Sequence, residues 1–147
     1  MDESDIALRN LTYGRFRALG RAPTAAEVAS ASGSSADEVR SGWRRLHEAH
    51  ALVLDAGTSE IKMANPFSAA PTAYRVRAAG RQWYGNCAWD AFGILAALKV
   101  DGHVEASCPD CGETISVESH GERPNETHLV FHCLVPARRW WSDISFT

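Results

Sequence analysis

The chain has 147 residues, 45% hydrophobic and 22% charged, which excludes a disordered or low-complexity protein and allows a core of ordinary size. Its formal charge of −3 is unevenly spread: residues 1–86 carry 11 Lys/Arg against 9 Asp/Glu, and residues 87–147 carry 4 against 9, which excludes a strongly basic nucleic-acid binder. The start, Met1-Asp2-Glu3-Ser4-Asp5, lacks the basic residues and apolar core of a secretory signal, and no apolar run reaches the ~20 residues needed to span a bilayer, so the expected location is the cytoplasm, away from membranes.

Residues 5–19 place Ile6, Leu8, Leu11, Phe16 and Leu19 at roughly helical spacing, with Gly20 as the stop. Thr24 and Glu27 form a capping-box pattern that opens a short helix ending near Gly33. Ser35 and Glu38 repeat it, opening a third helix over 36–49 with Val39, Trp43 and Leu46 on one face. Leu52-Val53-Leu54 and Ile61-Lys62-Met63 then read as two strands around a turn. Three helices and a hairpin predict a winged-helix-like region over residues 1–72. Residues 65–72, with two prolines, read as a linker, and Tyr74-Arg75-Val76 as a further strand.

The second region, residues 73–147, contains an apolar helix over 88–98, with Asn86 as its expected N-cap. Candidate strands follow at His103–Ala106, Thr114–Glu118 and Thr127–Leu134, and a last helix begins near Ala137–Trp141. Trp140, Trp141 and Phe146 are expected in the core or a pocket wall, and the apolar ending suits a chain that continues further. The fold class is α+β.

Four cysteines stand at 87, 108, 111 and 133; in a reducing compartment such thiols bind metal or do chemistry more often than they pair. Cys87 falls at a predicted helix start, where unpaired N–H groups and the helix dipole favour a thiolate. Asp90, three residues on, shares its helical face, so a thiol and a carboxyl can meet one substrate from one rigid element. The plain alternative is a buried small side chain beside a first-turn dipole partner. Cys108-Pro109-Asp110-Cys111-Gly112 is a C-x-x-C knuckle. It is read as half of a structural zinc site, as a reduced hairpin tip or, least, as a redox pair. Cys133, after His132 in an apolar run, is either a second site thiol or a core residue; in a strand the two would face opposite sides.

The run Tyr84-Gly85-Asn86-Cys87-Ala88-Trp89-Asp90-Ala91 resembles the signature of the organomercurial (alkylmercury) lyase family, in which a Cys-Ala-x-Asp run opens a helix after a winged-helix-like region. Ser107-Cys108-Pro109 and residues 128–141 are also similar. The resemblance implies protonolysis of a carbon–mercury bond, with two thiolates capturing mercury and the aspartate carrying the proton. By position Cys87 is the first thiol and Asp90 the proton carrier. The second thiol departs from the family pattern: matching the later run places His128 there, with Cys133 close by but displaced. The resemblance further implies a small organometallic substrate, no organic cofactor, and an external thiol for product release. Two other functions compete: a protein that sequesters or senses a soft ion such as Hg(II), Cu(I) or Zn(II) through the same thiols, and a winged-helix DNA-binding regulator. Arg40, Arg44 and Arg45 in the would-be recognition helix are offset by Asp37, Glu38 and Glu48, which weakens the latter.

Overall fold

Helix α1 (Glu3–Leu19) starts two residues before the apolar periodicity does, because Asp2 accepts a hydrogen bond from the Asp5 backbone at 2.8 Å and caps it. Gly20, in the left-handed conformation, ends it. Both expected capping boxes form, Thr24 with Glu27 opening α2 (Ala25–Ser32) and Ser35 with Glu38 opening α3 (Ala36–Glu48). The structure, a computed structural model, describes residues 1–144, so Phe146 lies outside the described residues.

The three helices are followed by a small antiparallel sheet of β1 (Val53–Leu54), β2 (Ile61–Ala64) and β3 (Phe67–Ser68) in that order. The stretch read as a linker therefore contains a strand. Phe67 explains why: it is buried, its ring stacks on Phe16 at 5.3 Å, and its backbone bridges to Gly85. A two-residue strand anchored by one aromatic leaves no periodicity to read.

The second sheet comprises β4 (Arg75–Ala78), β5 (Arg81–Tyr84), β6 (Gly102–Ser107), β7 (Thr114–His120) and β8 (Arg123–Pro124), in the order β5-β4-β6-β7-β8 and antiparallel throughout. Strand β5, absent from the sequence reading, pairs with β4 through a tight turn in which Ala79 and Gly80 both have positive φ, the geometry of a two-residue hairpin. Helix α4 (Ala88–Leu98) packs on β4, β6 and β3. One hydrophobic cluster runs from Phe16, Val28, Trp43 and Leu46 through Phe67 and Trp83 to Ile94 and Val104. The fold is α+β, with helices at the N-terminus followed by antiparallel strands. No helix among the described residues is long and apolar enough to cross a membrane.

Gly85 fixes how closely α4 approaches the sheet. A Cβ there would meet the Ala91 backbone nitrogen at 2.7 Å and its Cα at 3.0 Å, so any side chain forces the first turn of α4 outward. Gly85→Ala is expected to cost about 1–3 kcal/mol, seen as a lower midpoint in urea denaturation. An unchanged midpoint would mean that α4 does not sit this close.

Candidate active site

The chain leaves β5 at Tyr84 and enters α4 within three residues. Cys87, in an extended conformation (φ −147°, ψ −177°), is the N-cap, one residue later than the sequence indicates. Asn86 is occupied elsewhere: its Nδ2 donates to Asp90 Oδ2 at 2.8 Å and to Asn65 Oδ1 at 3.1 Å. The first helical bond runs from Ala91 N–H to the Cys87 carbonyl.

Cys87 and Asp90 are both half-buried and share this turn. The backbone N–H groups of Asp90 and Trp89 face the Cys87 sulfur and lower its pKa, but burial pushes it up and outweighs them, and the nearby Asp90 and Cys133 charges add to the rise. The helix start therefore does not yield a depressed thiol; desolvation wins over the dipole. Burial likewise raises the Asp90 carboxyl, against the hydrogen bonds from Asn86.

A carboxyl whose pKa is raised in the folded state favours folding at low pH. That contribution is fully present below its ordinary value near 3.8 and is lost as pH rises through the folded value. Asp90→Asn, which keeps an acceptor for Asn86 and removes the charge, is expected to be more stable than wild type at pH 7. The difference should vanish near pH 3, as thermal melts at the two pH values would show. A variant less stable at pH 7 would contradict the burial argument.

Cys133 reaches this site from an irregular segment. The expected strand over 127–134 does not form: β7 has on its outer side only the two-residue β8, which ends at Pro124, and proline cannot donate to a ladder. Val130 is 88% exposed, and Leu129, Phe131 and Leu134 are exposed as well. The alternation that would separate Cys133 from His132 is therefore absent. Phe131 lies against Trp89 with ring centroids 6.0 Å apart, and Cys133 is near enough for its charge to be felt at Cys87. The Cys133 thiol is exposed and donates to the Val135 carbonyl at 2.9 Å. His128 is exposed, its backbone N–H donating to Glu126. Beyond this segment a short 3-10 helix (Ala137–Ser142) follows, with Trp141 stacked on His50 at 4.2 Å.

Two site neighbours escape sequence reasoning. Tyr13, from α1, hydrogen-bonds toward the Asn65 carbonyl at 3.0 Å, and its hydroxyl pKa is raised by burial and, further, by the Asp90 charge. Asn65 holds Asn86, and Asn86 holds Asp90. The Asn86 Oδ1 is buried with no hydrogen-bond partner among the described residues, leaving an unused acceptor beside the carboxyl. No local pattern marks Tyr13 or Asn65, because they meet Asp90 only through the tertiary fold.

Cys108 and Cys111 lie at the β6–β7 tip. Cys108 N–H donates to the Glu113 carbonyl and Gly112 N–H to the Cys108 carbonyl, with Gly112 at φ +75°. The Cys108 pKa is lowered by the backbone N–H groups of Cys111 and Asp110 and by the Cys111 thiol. Among the described residues no group of three or more His, Cys, Asp or Glu is arranged to hold a metal ion, so the four ligands of a structural zinc site are not assembled at this knuckle.

No curated protein matches the chain. A solved structure, the crystal structure of the mercury-bound form of MerB2, aligns with it at a TM-score of 0.68 and 22% identity, covering 87% of this chain and 61% of that one. The likeness is one of fold, and this chain spans about three fifths of that protein's length. The family model described as alkylmercury lyase matches residues 67–147, a stretch that holds α4, all four cysteines and Asp90 and is more than half of the sequence. On that match the chain belongs to the alkylmercury lyase family.

Proposed function

We propose that this protein cleaves the carbon–mercury bond of small organomercurials by protonolysis, with Cys87 and Cys133 as mercury ligands and Asp90 as the proton carrier. The observation that carries the reading is the placement of a half-buried thiol and a half-buried carboxyl on one helical turn, with the segment that carries Cys133 laid against that turn through the Phe131–Trp89 ring contact.

Soft sulfur ligands suit a soft metal centre. Because Cys87 is held as the thiol, mercury itself must displace the proton, as metals do when they bind thiols. Asp90 is suited to receive it: burial raises its basicity, and Asn86 fixes one carboxyl oxygen. Sulfur donation weakens the carbon–mercury bond, and Asp90 then protonates the departing carbon as general acid. The step balances: an organomercury cation and two thiols yield a hydrocarbon, a dithiolate-bound Hg(II) and one proton. A small thiol of the reducing cytoplasm would take up the Hg(II); no organic cofactor enters the scheme.

The test is benzene release from phenylmercury with excess small thiol, for wild type and Asp90→Asn. Loss of a proton carrier is expected to slow release by ~10²–10⁴-fold while Hg(II) binding persists. Binding without benzene release from the wild type would instead make the protein a soft-metal sequestering relative.

A further inference from the structure

The proposed reaction leaves the C-x-x-C knuckle unused, yet strand pairing brings it to the same end of the molecule as the reaction centre. In the second sheet Arg75 of β4 pairs with Tyr84 of β5 on one side and with Glu105 of β6 on the other. Cys87 lies three residues beyond Tyr84, and Cys108 three residues beyond Glu105. Strands β5 and β6 therefore end on the same side of the sheet, two strand spacings or roughly 10 Å apart, and Cys87 and Cys108 each follow that end in the chain.

The knuckle is built to present two sulfurs together. The β6–β7 ladder runs to the Ser107–Thr114 pair, and the tip is closed by the Cys108–Glu113 and Gly112–Cys108 backbone bonds, which hold Cys108 and Cys111 on one tight turn. Cys111 is exposed and Cys108 half-buried. Tetrahedral zinc needs four ligands, and the described residues supply no third. A two-coordinate soft ion needs only the two that are present.

Resting on the lyase reading above, we infer that Cys108 and Cys111 form a second soft-metal site that takes Hg(II) from Cys87 and Cys133 after the hydrocarbon leaves. The transfer is ligand exchange with no redox change. Two Hg–S bonds to Cys87 and Cys133 break, two to Cys108 and Cys111 form, and the two protons released by the knuckle thiols restore the thiols of the reaction centre. The site is emptied for a second substrate without an outside thiol.

Reduced protein, freed of small thiols, is given excess phenylmercury, and benzene is counted per chain. Two equivalents are expected from wild type and one from Cys108→Ser/Cys111→Ser; one from both overturns the relay. A second measurement does not depend on turnover. Cys87→Ser/Cys133→Ser is titrated with mercuric chloride against a competing monothiol and is expected to retain one equivalent of Hg(II). None should remain when all four cysteines are replaced. Loss of Hg(II) from Cys87→Ser/Cys133→Ser overturns the knuckle as a site, whereas absence of benzene from the wild type alone sinks the lyase reading.

Discussion

Cys87→Ser is expected to lower organomercurial turnover by on the order of 10³-fold or more, and added thiol should not restore it. A serine hydroxyl is a hard ligand that stays protonated at neutral pH, so it neither captures mercury nor labilises the bond. Half-burial of Cys87 at the head of α4 keeps a solvent thiol from taking its place. Cys133→Ser should behave differently. Its sulfur is exposed, so a small thiol can occupy the position, and turnover should recover as thiol concentration rises. Steady-state rates over a thiol series distinguish the two. Near-wild-type turnover by Cys87→Ser would remove it from the mechanism, and a Cys133→Ser loss that thiol cannot rescue would mean that its exposed position is not the one used during turnover.

The second large effect lies far from the chemistry. Trp43 is fully buried on α3, and its Nε1 donates to Thr12 Oγ1 at 3.0 Å, which in turn donates to the Leu8 carbonyl at 2.8 Å. Trp43→Ala opens a cavity at the junction of α1 and α3 and removes a partner of a buried hydroxyl, for an expected loss of about 3–5 kcal/mol. Trp43→Phe fills most of the space and leaves only the hydrogen bond unmade, for about 1–2 kcal/mol. Against a total stability of roughly 5–15 kcal/mol for a domain of this kind, the alanine variant approaches unfolding at 37 °C. Urea denaturation separates the two; equal losses would mean that the hydrogen bond, not the volume, dominates.

The legible parts of this fold are those governed by neighbours in sequence. Thr24 with Glu27 and Ser35 with Glu38 satisfy orphan helix donors within one turn, so α2 and α3 begin where their residues say. Cys87 and Asp90 were readable as a pair for the same reason, three residues on one helix. What failed depended on distant partners. Residues 127–134 have the composition of a strand but pair with none of the described strands, and β3 exists because Phe67 finds Phe16 and Gly85. The ionisation of Cys87 is another such case: the local dipole argument has the right sign, and the burial that overrides it comes from the packed fold. Asn86 was visible as a polar residue before a helix, but its bond to Asp90 required the cap to move to Cys87.

The irregular course of the segment carrying Cys133 has a mechanical consequence. A mercury ion shared by Cys87 and Cys133 would act as a cross-link, closing a loop of about 45 residues that includes β6, β7 and β8. By the chain-entropy relation used for disulfides, restricting the unfolded chain in this way stabilises the folded one by about 4 kcal/mol. The product-loaded protein would then be tied down at a part of the site that no strand or helix holds. Moving the ion to Cys108 and Cys111, which enclose only a tight turn, unties it, so the tether of the segment beyond β8 would be made and undone once in each catalytic cycle.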